Sequence, residues 1–266
     1  MNRRLNMVWV IRQTLGTIGA HPGWFLAMIA IATIPYRIIY PFFLGWSGAP
    51  MTGVDAVPIN LLGMLTQLIS NAAAFAAASA LALANIQRRP VAARALLDDS
   101  LRALPTALFI VAVINLPALV GRLYWLLEFN PQAVSETGLV LLLARLVFCW
   151  TLLGGMLIWG PAPAAAIEER LALPAAFARA AAITRGGRWM IVLLYLLFGL
   201  AMLVPETIAY VGLRGWTGTA ALVIGGLVKT LIISIVGVIA YLGITAIYLD
   251  RRRILEGGSA VLEAFD

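Results

Sequence analysis

Charge is scarce in this chain. Only 12% of its 266 residues are Asp, Glu, Lys or Arg, while 62% are hydrophobic, against roughly 25% charged and 45–50% apolar in soluble domains. Mean hydropathy is +0.95. This excludes a disordered chain, a soluble enzyme domain and an ordinary nucleic-acid binder. There is one cysteine, Cys149, and one histidine, His21. A lone cysteine closes no intramolecular disulfide, and one Cys with one His holds no metal. Cys149 is expected near mid-membrane in its apolar run and His21 at the cytoplasmic boundary before the first such run, too far apart for a nucleophile–base pair. Walker A, dinucleotide-binding and HExxH motifs are missing, so nothing calls for a cofactor. The expectation is a protein that is not an enzyme.

What is present is a series of long apolar runs. A helix needs about 20 apolar residues to cross about 30 Å of hydrocarbon. Six stretches qualify: Trp24–Leu44, Ile59–Ala84, Pro105–Leu127, Gly138–Trp159, Trp189–Val211 and Thr219–Tyr248. The reading is an all-α polytopic membrane protein, residues 1–266 forming one integral domain. The N-terminus shows no h-region with a cleavage site, so no removable signal is expected. Val8 to Ala20 reads as a short amphipathic helix at the membrane surface.

The net charge of +7 comes from eighteen arginines and Lys229 against twelve acids. Arg3, Arg4 and Arg12 precede span one. Arg88, Arg89, Arg94 and Arg102 lie between spans two and three, and Arg170, Arg179, Arg185 and Arg188 between spans four and five. Arg251, Arg252 and Arg253 follow span six. The opposite side has Arg214, with Arg122 near its edge. Both termini are therefore expected in the cytoplasm. The Ala/Arg-rich, lysine-poor composition points to a bacterium and its inner membrane.

The even spans end alike, in Ala84-Asn-Ile-Gln-Arg-Arg, Ala166-Ile-Glu-Glu-Arg and Ile247-Tyr-Leu-Asp-Arg-Arg. Ile86, Ile167 and Tyr248 are 81 positions apart, and Trp24, Thr106 and Trp189 are 82 and 83 apart. Two readings stand. One is a three-fold parallel repeat over 8–89, 90–170 and 171–253, each unit a cytoplasmic amphipathic helix and two spans. The other is six spans of similar size that look periodic by chance.

Ionisable groups at membrane depth are costly and mark candidate sites. Arg37, Arg122, Arg145, Glu206 and Lys229 qualify. They form either an outward-opening polar cavity for an anionic solute or lipid head group, or a set in which Glu206 pairs with one arginine while the rest snorkel. The adjacent acids Asp98-Asp99 and Glu168-Glu169 read as solvated, salt-bridged faces rather than metal ligands, with Arg102 four residues after Asp98.

The most distinctive stretch precedes span five: Glu169, then Ala176-Phe-Ala-Arg179, then Thr184-Arg185-Gly186-Gly187-Arg188-Trp189. It resembles the signature of the membrane domain that accompanies some bacterial glycerophosphoryl diester phosphodiesterases, and of related stand-alone polytopic proteins. The chain departs from that signature where Ala178, Ala180 and Ala181 replace the usual Arg, Ser and Trp. The C-terminus is similar as well, in Tyr248-Leu-Asp250-Arg251-Arg252, then Glu256-Gly257, closing on Phe265-Asp266, so the similarity covers roughly 165–266 and is diffuse before it. It implies a membrane module and carries no hydrolase activity, because no residues remain for the catalytic barrel. Read from the residues alone, Arg185 and Arg188 meet anionic head groups and Trp189 anchors the interface. Two functions follow as expectations. The first is a module organising membrane lipids or a protein partner through a basic cytoplasmic face. The second is a transporter or channel for an anionic solute.

Overall fold

The computed structural model describes residues 6–35, 57–127, 158–185, 187–189, 191–193 and 219–256, with backbone alone at 57–60, 114–127, 219–227 and 229. Among these residues the elements are α1 (Met7–Ala20), α2 (Pro22–Ile34), α3 (Val57–Ile86), α4 (Ala93–Leu127), α5 (Ala162–Glu168), α6 (Leu173–Thr184) and α7 (Thr219–Glu256), with no strand. Segments Leu61–Ile86 and Thr230–Glu256 are long and apolar enough to cross a membrane, and a bent α1–α2 pair would make a third. The surface agrees. Leu62, Leu65 and Ile69 are exposed on α3 at i, i+3, i+7 spacing, an outward apolar stripe that suits lipid rather than water.

Helix α1 starts on an Asn6 cap, whose side chain accepts the Trp9 N–H at 3.0 Å. Its Val10, Thr14 and Thr17 face is buried against α3 and α7. Thr14 and Thr17 return their hydroxyls to the Val10 and Gln13 carbonyls, so neither is left unpaired. Val8, Ile11 and Leu15 stay exposed on another face. At His21 the chain turns by 94°, with Pro22 opening α2. That angle sets α1 close to perpendicular to α2.

Helices α3 and α7 form the centre. The alanine run of α3 lets neighbours approach closely: Ala72, Ala74, Phe75, Ala76 and Ala78 are fully buried. Phe75 stacks on Tyr241 of α7, ring centroids 4.3 Å apart. Polar pairs join helices along the same bundle, Thr33 to Ser234 at 2.8 Å, Thr245 to Ser79 at 3.2 Å and Asn85 to Thr17 at 3.0 Å. Such pairs satisfy hydroxyls that lipid could not.

Three sequence expectations need correction. The amphipathic segment before span three is no separate element, since α4 runs unbroken from Ala93 through Pro105 to Leu127. Proline there removes one backbone donor, and the Thr106 hydroxyl adds a bond to the Ala103 carbonyl at 2.7 Å. Arg102 pairs with Asp99 at 3.7 Å, one turn back at i,i+3, rather than with Asp98. Glu168 and Glu169 are salt-bridged, but mostly covered rather than on a solvated face, as described below. Span four except its end, most of span five and the outer part of span one lie outside the described residues.

Candidate functional site

The arginine-rich segments converge on one end of the bundle. Helix α3 ends in a Schellman motif: the Arg89 N–H reaches the Ala84 carbonyl at 2.8 Å and the Arg88 N–H the Asn85 carbonyl at 3.1 Å, with Arg88 at φ +53°. Arg170, 82 positions later, takes φ +51° after α5. In both places the left-handed residue turns the chain at the helix end, beside Arg89 in the first case and Glu168-Glu169 in the second. Short α5 is buried along its length, Ala162 to Ile167, and touches α3, α4, α6 and α7. Its C-terminus therefore delivers Glu168 and Glu169 into the middle of the other helix ends.

Each acid binds more than one partner. Glu168 accepts from Arg89 at 3.3 Å and from Arg252 at 3.0 Å. Glu169 accepts from Arg179 Nε at 2.7 Å and from the Tyr248 hydroxyl at 2.6 Å through the same oxygen. Glu256 closes the ring, bonding Arg179 and, at 2.8 Å, Arg252 one turn earlier on α7. Three arginines thus meet three carboxylates, and the cluster is neutral as a unit. The side chains of Glu168 and Glu169 are 13% and 19% exposed, against 52% for Arg89. The inner pairs are consequently less screened by salt than the Arg89 pair. Both oxygens of Glu168 and one oxygen of Glu169 are engaged in this way, which makes the pair an ionic clasp.

A second knot holds the turn after α6. Arg251, 3% exposed, donates from Nε to the Ile183 carbonyl at 3.2 Å and from a terminal nitrogen to the Arg185 carbonyl at 2.8 Å. It caps the negative end of α6 with a fixed positive charge. Buried Thr184 bonds back to the Ala180 carbonyl at 2.9 Å. The neighbouring Asp250, fully buried, accepts from the Asn6 N–H and from Arg253 at 2.9 Å each, and Arg253 lies over the Trp9 ring. Phe177 fixes the outer side of α6, meeting Phe109 and Trp159 edge-on.

Gly187 explains itself here. A Cβ at that position would stand 3.0 Å from Arg251 Nε and 3.2 Å from its Cδ and Cζ. Gly187→Ala must displace a buried, doubly bonded guanidinium. We expect it to cost about 1–3 kcal/mol, read as a lower melting temperature of the detergent-purified protein. In an Arg251→Leu background the same change should cost clearly less, since the clash partner is gone.

The residues chosen from the sequence thus divide. Glu169, Arg179, Thr184, Arg185, Arg188 and Trp189 come together around α6, with Arg185, Arg188 and Trp189 exposed, Trp189 by 85%; Gly186 lies outside the described residues. Of the intramembrane set, Arg37, Arg145 and Glu206 lie outside them, and Arg122 and Lys229 are placed only as positions on α4 and α7. Tyr248, Arg251 and Glu256 entered only through a resemblance, and sequence reasoning missed the contacts they make with Glu169, Gly187 and Arg179. Only the 81–82-residue spacing of the span ends hinted that these tails meet. Fold and clasp together define an all-helical chain with helices fit to cross a membrane, tied at one polar end. No family model, curated protein or solved structure matches it.

Proposed function

We propose that the chain is a non-enzymatic, six-span module of a bacterial inner membrane, with cytoplasmic termini, that gathers anionic lipids or a protein partner at its basic face. It would be akin to the membrane domain that accompanies glycerophosphoryl diester phosphodiesterases. One observation carries this reading. Arg251 holds the Ile183 and Arg185 carbonyls at the end of α6, while Arg185 and Arg188, which are not part of the clasp, are exposed beside an exposed Trp189. Two exposed cations and an indole at one helix end suit a head-group region. The meeting of the ends of α3, α5 and α7 through Arg89, Glu168 and Arg252, with left-handed arginines 82 residues apart, supports the three-fold parallel repeat.

The test is native mass spectrometry of protein taken from vesicles containing phosphatidylglycerol. Each basic residue near an anionic surface contributes about 1 kcal/mol, so Arg185→Gln with Arg188→Gln should lower retained phosphatidylglycerol roughly 30-fold. Unchanged retention would overturn the reading. The anion-transport alternative rests on Arg37, Arg145 and Lys229. Solute flux into vesicles that is abolished by Lys229→Met would put it first.

A further inference from the structure

Between α2 and α4, above α3, runs a groove of about 370 Å³. Its walls are Trp24 and Met28 on α2 and Leu97 and Leu101 on α4, and its floor is Ala73 and Ala77 of α3. The floor is deep because alanine occupies it, on the same helix whose other alanines serve close packing. Ser100 supplies the one hydroxyl of the lining, and its hydrogen is already given to the Leu96 carbonyl at 2.6 Å. A polar solute would find few partners there. The outer lips, Trp24, Leu97 and Leu101, are 38%, 58% and 56% exposed, so the groove opens sideways among apolar side chains.

We propose that this groove binds one acyl chain of a membrane phospholipid. Size and lining favour a single apolar chain. Scaling from the roughly 150 Å³ cavity that accepts a six-carbon ring, the volume matches about fifteen carbons in a row. The groove starts beside Trp24 and Ala93, next to the arginine-rich end, and runs to Ile31, deeper along α2. That is the course of a lipid tail leaving the head-group level. The inference rests on the membrane setting of the helices and needs no part of the basic face.

The experiment reconstitutes the intact protein in phosphatidylcholine vesicles carrying a phospholipid with a diazirine in its tail, then maps carbene insertion by peptide mass spectrometry. Leu104 lines the groove on α4 and is partly buried, whereas Leu231 on α7 faces outward at 46%. An occupied groove labels Leu104 at least as strongly as Leu231. Ala73→Phe with Ala77→Phe should abolish the Leu104 label and leave Leu231 labelled. Leu101→Trp, at an exposed lip where folding is not at stake, should weaken it as well. Labelling of Leu104 that stays below Leu231 in the unaltered protein would overturn the proposal. So would labelling that survives the filled floor, or cross-links showing a second copy seated there. Because neutral lipid is used, the result stands apart from the phosphatidylglycerol retention test.

Discussion

Replacing Arg251 by leucine is expected to give the largest loss of stability of any single change at the polar end. The guanidinium donates at least twice, to the Ile183 and Arg185 carbonyls, and is 3% exposed. Leucine leaves both carbonyls without their donor, at about 1–3 kcal/mol each, and removes the positive charge from the end of α6. The sum is about 3–5 kcal/mol, which for a chain of this size is a fall of roughly 10 °C in melting temperature. Lysine at 251 should recover less than half, because one ammonium on a flexible stem cannot address two diverging carbonyls. The measurement is thermal unfolding of the purified protein followed by tryptophan fluorescence. A variant melting within about 2 °C of the parent, well under the loss expected for a chain of this length, would show that α6 ends stably without Arg251. The same variant should also lose phosphatidylglycerol retention, because the turn presenting Arg185 and Arg188 is no longer held. That couples a stability readout to the proposed function through one residue that touches no lipid.

Much of the architecture was legible in the residues, and the reasons differ from element to element. Helices α3 and α7 could be read directly, as apolar runs over Ile59–Ala84 and Thr219–Tyr248 that match Val57–Ile86 and Thr219–Glu256. The extra eight residues of α7 were hidden because Arg251–Arg253 look like the end of a span. In fact those charges find carboxylates and carbonyls without leaving the helix. Helix α4 was misread as two elements because the polar stretch before Pro105 and the apolar one after it differ in composition, yet the backbone needs no break to accommodate either. At the clasp, Glu169 and Arg179 stood out by resemblance alone. Tyr248, Arg252 and Glu256 belonged to the same resemblance, but their pairing with those residues was hidden, because the partners are 79, 84 and 77 positions away and no local pattern shows such a contact. Tyr248 looked like a span-closing aromatic. It is a hydrogen-bond donor buried under the clasp.

Glu169 is the second residue on which a large effect should fall. One of its oxygens accepts both Arg179 and Tyr248, so Glu169→Ala leaves a half-buried guanidinium and a buried phenol hydroxyl with fewer partners. We expect a loss of about 2–4 kcal/mol. Arg89→Gln, at the 52% exposed pair with Glu168, should cost under about 1 kcal/mol, although it touches the same network. The contrast separates a buried hub from a surface pair and is read in one series of melting curves. Coupling within the hub is tested by a cycle of Glu169→Ala and Tyr248→Phe. If the two share one hydrogen bond, the double variant should lose about 1–2 kcal/mol less than the sum of the singles. Additive losses would mean that Tyr248 is held by packing alone. Salt supplies the last discriminator: raising ionic strength should erase the cost of Arg89→Gln and leave that of Glu169→Ala nearly intact. If both faded together, the clasp would be solvated throughout. Its role in joining the ends of α3, α5 and α7 would then pass to the apolar contacts of α5 and to Phe177.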